Sequence, residues 1–188
     1  MIASVYGDSP IIMGLRKSTF RMSSNFAASF APNSDLNARI LILGSMPRRE
    51  SLKAQRYYAH PRNQFWKIMA TLLGFAPDLP YADRLLALQR HGIALWDVMR
   101  SCQRVGSLDA SIESDTIEAH NFAAFFQRHP AIRSVFFNGA TAQASYNKHV
   151  LPGLPALPLQ YTRLPSTSPA HAALTLGQKL DAWRCIVA

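Results

Sequence analysis

Four short apolar runs, at residues 39–43, 92–96, 133–137 and 159–164, alternate along the chain with segments of a different periodicity. In those segments, residues 64–73, 83–90, 116–128 and 141–148, apolar side chains recur at helical spacing, and the same spacing predicts a last helix over 173–186. Regular strand–helix alternation argues for parallel strands with helices packed on both faces. The expected fold is therefore a three-layer α/β/α sandwich around a short, mostly parallel central sheet of about four strands. Right-handed crossovers put the C-terminal ends of such strands on one edge. The loops opening at Gly44, Asp97, Asn138 and Pro165 are expected to meet there in a single crevice, the place where open α/β sheets carry their chemistry. Residues 1–30 are Ser-rich and weakly patterned. They read as a loosely ordered N-terminal extension, with Met13 and Met22 as alternative starts, ahead of one functional domain at 31–188.

Composition narrows the class. A chain of 188 residues with 48% hydrophobic and 16% charged residues is globular and large enough for a real core. No apolar run reaches membrane-spanning length, and no secretory leader is read. Cys102 and Cys185 form no C-x-x-C pair and read as free thiols of a cytosolic protein, and the six histidines form no H-x-x-x-H pair, so no metal site is expected. The net charge of +9 points to anionic partners. It is concentrated after the first strand, where Arg48, Arg49, Lys53, Arg56, Arg62 and Lys67 face Glu50 alone in a stretch read as loop, with no helical period. Aromatic residues interleave with those cations at Tyr57, Tyr58, Phe65 and Trp66, a mixture suited to a polyanion whose bases must be stacked upon.

The fingerprints of other α/β enzymes do not fit. Gly44-Ser-Met-Pro47 is neither a dinucleotide nor a nucleoside-triphosphate glycine loop, and no G-x-S-x-G elbow occurs. Instead, Gly44-Ser-Met-Pro47, Ser51-Leu52 and Tyr58-Ala-His-Pro-Arg-Asn-Gln-Phe-Trp66 resemble the front half of the uracil-DNA glycosylase superfamily. The DNA-deoxyinosine (hypoxanthine) glycosylases are the nearest branch, and the mismatch-specific uracil glycosylases are more distant kin. Further matches stand at Gly106-Ser-Leu-Asp109, Phe137-Asn-Gly139 and Leu164-Pro-Ser-Thr-Ser-Pro169, so the resemblance covers roughly residues 30–186.

That resemblance implies a monofunctional DNA glycosylase of base-excision repair, without cofactor or metal. Hypoxanthine is the favoured lesion and uracil the nearest competitor. Its partner would be DNA containing a damaged base, with no membrane and no obligatory protein partner, in the cytoplasm or at a prokaryotic nucleoid. Hydrolysis of the N-glycosidic bond builds oxocarbenium charge on the sugar and negative charge on the departing base. The enzyme must supply a slot for an extruded base, a held water, donors to the base and a grip on phosphates.

Asn63 has two readings. By its residues alone, an asparagine at the start of the 64–73 helix is an ordinary cap; by resemblance, it is the catalytic amide that holds the water. Met46 stands where many relatives carry a polar residue, which leaves Asn63 as the functional amide. Tyr58 matches a base-stacking aromatic, whereas Tyr57 reads as packing. Gly44, Ser45, Met46 and Pro47 are expected to wall the base through their backbone, and Asn138 to reach its edge. His60 reads first as a brace for the loop and second as a contact. Ser166 stands where relatives have a functional His or Asn, and is expected at phosphate with Arg48, Arg49 and Arg62. Ser168 and His171 complete the substrate set, Ser168 also fitting a plain helix cap and His171 standing where relatives insert a wedge. Two rival classes remain: a non-catalytic nucleic-acid-binding module, and a nucleoside N-glycosidase acting on free nucleosides.

Overall fold

The computed structural model describes residues 25–187. The chain runs β1 (Phe26–Ala28), β2 (Ile40–Gly44), α1 (Arg49–Ala54), α2 (Phe65–Leu73), α3 (Tyr81–Arg90), β3 (Ile93–Asp97), β4 (Met99–Gln103) and β5 (Glu118–Ala119). It continues through α4 (Phe122–Arg128), β6 (Ser134–Asn138), α5 (Ala140–His149), β7 (Gln160–Leu164) and α6 (Leu176–Trp183). Strands β3-β2-β6-β7, in that order, form one parallel sheet. Order reverses beside β2, which leads on one side to β3 and on the other to β6, so a crevice opens outside the strand ends at Gly44 and Asn138.

Strand alternation assigns the layers. Leu41, Leu43, Ala94, Trp96, Val135 and Phe137 point to one face and pack with Phe122, Phe125 and Phe126 of α4 and Ala142 and Tyr146 of α5. Ile42, Ile93, Leu95, Phe136 and Leu164 point to the other and pack with Phe65, Ile68 and Met69 of α2, Leu88 of α3 and Trp183 of α6. With apolar residues directed to both faces, the inner strands are buried almost throughout, which is why they read as apolar runs.

The periodicity did not reveal a second, antiparallel sheet of order β1-β4-β5. The chain leaves β3 at Asp97, spends one residue at Val98 and enters β4, whose sequence Met-Arg-Ser-Cys-Gln has no apolar run to announce it. Most of the expected N-terminal extension, residues 1–24, lies outside the described residues. Its last part is ordered: Phe26–Ala28 pairs with Ser101–Gln103, and Ser29 N–H donates to the Arg100 carbonyl.

Three helical expectations are revised. Only Phe122–Arg128 of the 116–128 segment is α-helical, because Glu118–Ala119 pairs with β4 and Asn121 Oδ1 caps the helix by accepting from Ala124 N–H. The last helix starts later than expected, at Leu176, where Thr175 and Gln178 form a capping box, and residues 184–186 tighten into a 3-10 turn. The basic stretch after β2 is not all loop. Arg49–Ala54 is a short helix that ends at Gln55 in the left-handed region (φ 52°).

Candidate active site

The four strand ends converge as the topology requires. One narrow slot is lined by residues 44–48 after β2, by Tyr57, Tyr58, His60 and Asn63 before α2, by Asp97 at the end of β3, by Asp109, by Asn138 at the end of β6, and by residues 166–168 after β7.

The β2 turn forms its floor. Gly44 is required there for a reason its sequence does not state. A Cβ at this position would lie 2.4 Å from Asp97 Oδ1 and 3.3 Å from the Tyr58 hydroxyl. Ser45 Oγ donates to Asp109 Oδ2 (2.9 Å), and Arg104 Nη2 donates to the Pro47 carbonyl (2.7 Å), so two distant residues hold the turn. Met46 borders the slot, but its side chain is buried in a small core with Ala27, Met99 and Cys102 under the second sheet. Its packing role explains why a thioether suits this position.

The loop before α2 is closed on itself. Ser51 Oγ accepts from Ala59 N–H, His60 Nδ1 from Arg62 N–H, and the His60 carbonyl from Asn63 N–H. His60 is thus a brace at the slot wall. Tyr57 is core, with its hydroxyl donating to the Ala31 carbonyl and its own carbonyl accepting from Trp66 Nε1. Tyr58 is different. It is a non-glycine residue at φ 54°, a conformation held against its steric cost, and its ring stacks on Phe65 with centroids 4.0 Å apart. Its hydroxyl is buried without a good hydrogen-bond partner, and burial, then the nearby Asp97, raises its pKa so that it stays protonated.

Asn63 Oδ1 accepts from Phe65 N–H at 2.9 Å, so the capping interaction is real even though Gln64 is the residue at the helix boundary. That bond fixes which end of the amide is oxygen. It occupies one of two lone pairs on Oδ1, and no described residue engages Nδ2. The Gln64 N–H donates across the slot to the Thr167 carbonyl.

The β6 and β7 ends are clamped together. Asn138 Nδ2 donates to Thr167 Oγ1 and its Oδ1 accepts from Thr167 N–H, at 2.9 and 2.8 Å. One N–H and the carbonyl oxygen of this amide, expected at the base edge, are held by the clamp, which leaves its second N–H toward the Tyr58 hydroxyl. Gly139, at φ 103°, lets the chain pass Ser166, whose Cβ would sit 2.9 Å from an added methyl. Ser166 Oγ accepts from Ser168 N–H and Ser168 Oγ from Ala170 N–H, which leaves both hydroxyl protons free to donate.

Three expected contacts do not line this slot. Arg49 lies on α1 and its N–H donates to Ser107 Oγ; Arg62 is exposed at the loop; and His171 stands beyond Ser168, its carbonyl accepting from Lys179 Nζ. Arg48 does line it.

Sequence reading missed two carboxyls as site residues. Asp97 is only 4% exposed. Ser29 Oγ donates to its Oδ2 (2.8 Å), and burial raises its pKa to about 7, Asp109 adding to the rise and Ser29 and Arg104 opposing it. Asp109 Oδ1 is buried without a partner. The position of Asp97 at a strand end was a usable signal. Ser29 and Ser45 as partners were not, because those contacts span 68 and 64 residues.

Among the described residues no helix is long and apolar enough to cross a membrane, and no cluster of three or more His, Cys, Asp or Glu side chains could hold a metal ion. Comparison with known proteins agrees with the geometry. The family model described as the uracil DNA glycosylase superfamily matches residues 31–185. A hypoxanthine DNA glycosylase of Methanosarcina acetivorans is 33% identical over 153 residues, 81% of this chain and 92% of its own length. One from Methanosarcina barkeri is 38% identical over 111 residues, 58% of this chain and 69% of its own length. The solution NMR structure of a candidate uracil DNA glycosylase from Methanosarcina acetivorans superposes with a TM-score of 0.71 at 30% identity, covering 87% of this chain and 99% of that one.

Proposed function

The chain belongs to the uracil DNA glycosylase superfamily, and we propose that it is a monofunctional DNA glycosylase that hydrolyses the N-glycosidic bond of deaminated bases, hypoxanthine foremost and uracil second. The observation that carries the reading is the meeting in one slot of Asn63, Tyr58, the 44–48 turn and the 166–168 hydroxyls, drawn from the segments before α2, after β2 and after β7. The preference for hypoxanthine rests on the two relatives that bear that name. The catalytic domain comprises residues 31–188, to which β1 adds an edge strand, and the enzyme works without an obligatory protein partner wherever the cell keeps its DNA, in the cytoplasm of a prokaryote.

The chemistry follows from the positions. An extruded base enters the slot, with Tyr58, backed by Phe65, as its aromatic wall. As the bond to the sugar lengthens, positive charge develops on the sugar and negative charge on the base. The second lone pair of Asn63 Oδ1 accepts a hydrogen bond from a water, leaving an oxygen lone pair of that water for the sugar carbon. Cap and catalyst are then one arrangement, because the Phe65 N–H bond holds the amide in the orientation the water needs. The backbone N–H of Met46 and the hydroxyls of Ser166 and Ser168 serve as donors to the departing base and the flanking phosphate, with Arg48 at the slot and Arg49 and Arg62 outside it.

The test is cleavage by alkali after incubation with oligonucleotides carrying hypoxanthine, uracil or xanthine, each in single and double strands. Alkali-labile breaks at the lesion support the proposal. Intact strands with tight DNA binding would mark a non-catalytic binding module, and release of base from free deoxyinosine alone would mark a nucleoside hydrolase.

A further inference from the structure

A second hollow lies on the far side of the loop that carries Tyr58 and Asn63. It is a cleft of about 440 Å³. Tyr57, Tyr58, His60 and Asn63 line both the cleft and the slot, so a single loop is the partition between them. The opposite walls come from Trp66 and Lys67 of α2, the turn at 77–80 and the start of α3.

The make-up of these walls is that of a nucleotide site. Three cations, Arg56, Lys67 and Arg84, line the cleft against one carboxylate, Asp78. Arg84 is a fixture of the wall: its guanidinium donates to the Leu79 and Pro77 carbonyls and lies over the Trp66 ring, 5.8 Å from the centroid. Arg56 and Lys67 are exposed, and neither is ion-paired among the described residues. Arg56 lies over the Tyr81 ring at 5.4 Å, and Tyr81 is itself pinned, its hydroxyl accepting from Tyr57 N–H. Fixed aromatic rings with unpaired cations at the rim can hold a base by its face and a phosphate by its charge.

Resting on the glycosylase reading above, we propose that this cleft binds the nucleotide next to the lesion on the same strand. Its base lies unstacked in the aromatic-walled hollow and its phosphate meets Arg56 and Lys67. A strand whose lesion base occupies the slot leaves it across a rim, and the 57–63 loop is a rim with a second hollow and open cations directly behind it. Turning a second base out of a duplex costs further unpairing and unstacking, so the cleft serves an unpaired flank.

The test uses single strands carrying hypoxanthine in which the 5′ or the 3′ neighbour is replaced by tetrahydrofuran, which keeps the phosphate and lacks the base. A hypoxanthine duplex is the control. Single-turnover rates over a range of enzyme concentration give half-saturation and maximal rate for wild type, Ala54→Trp, which fills the cleft from its edge, and Arg56→Gln/Lys67→Gln. Wild type should need at least ~5-fold more enzyme when the base is missing on one side, and no more when it is missing on the other. In Ala54→Trp that one-sided penalty should vanish. The charge variant should weaken half-saturation on the intact single strand more than on the duplex. No penalty, equal penalties on both sides, or a penalty that survives in Ala54→Trp overturns the assignment. If Ala54→Trp fails to fold, the charge variant decides, and equal weakening on single strand and duplex overturns it. Excision from none of the strands would instead remove the glycosylase reading on which the proposal stands.

Discussion

The two sides of the slot satisfy their polar groups in opposite ways. The loop from Ser51 to Asn63 is tied mostly to itself, pairing Ser51 with Ala59, His60 with Arg62, and Asn63 with Phe65, while Tyr57 alone reaches out, to Ala31 and Tyr81. The side built from Asp97 and Asp109 depends on Ser29 and Ser45, more than sixty residues away, and still leaves Asp97 Oδ1 and Asp109 Oδ1 without donors among the described residues. A locally closed loop is a rigid platform. A buried carboxyl oxygen left open, as Asp109 Oδ1 is, lowers stability until a ligand or water meets it. The slot therefore has a locally closed side and an open side held by distant residues.

The largest expected effect lies on the open side. Asp97 has its folded pKa raised to about 7 from 3.8, so the native state holds the proton more tightly than the unfolded chain. Its contribution is most favourable below about pH 4 and is lost as pH rises through about 7. The groups that set this are Ser29, Asp109 and Arg104, with Tyr57 and Tyr58 facing the same carboxyl. Relative to wild type, Asp97→Asn should gain stability between pH 4 and 8, reaching on the order of 4 kcal/mol at the alkaline end, as read by urea melts. Equal pH dependence in both proteins would mean that the open side carries no such cost.

On the closed side, Asn63→Ser keeps a capping oxygen and should melt like wild type. Its single-turnover rate on hypoxanthine DNA should nevertheless fall at least ~100-fold, roughly 2.7 kcal/mol of barrier. A fully active serine variant would make Asn63 a cap and nothing more. Ser51→Ala sharpens the comparison from within the platform. Loss of the acceptor for Ala59 N–H should cost about 1 kcal/mol of stability, measured by thermal or urea unfolding, while the relative rates on hypoxanthine and uracil stay as they were. The smallest effect belongs to the rim. Replacing Arg48 and Arg49 with Ala should lower the slope of log affinity against log salt by about 1–2, with the order of lesion preference unchanged in filter-binding and cleavage assays.

The parallel sheet was legible because inner strands covered on both faces leave continuous apolar runs such as Ile40-Leu-Ile-Leu43, and the strand ends inherit their meeting point from handedness. The 58–66 motif was legible because its contacts are local, so spacing in the sequence is spacing in space. β4 was not, since Met-Arg-Ser-Cys-Gln buries alternate and small residues against a small core instead of a large one. The 116–128 segment misled for a related reason: Thr116 and Ile117 continue the helical period, but the backbone of Glu118 is claimed by Ser101 across the sheet. Asn138 was placed on the slot correctly, yet one N–H and the carbonyl oxygen of its amide are held by Thr167, a partner that only tertiary structure supplies.

The closeness of Gly44 to Asp97 also limits the routes by which this site can change. A methyl at 44 collides with Asp97 Oδ1 while Asp97 is present, but once the carboxyl is gone only the tighter-than-usual contact with the Tyr58 hydroxyl, at 3.3 Å, remains. Gly44→Ala should therefore be harmful alone and far milder in an Asp97→Ala background, a non-additivity between touching residues that a double-mutant cycle can measure. A lineage that abandons the carboxyl becomes free to lose the glycine, whereas one that keeps it cannot. The order in which these two positions can drift is thus set by the missing space for a side chain between Gly44 and the Asp97 carboxyl.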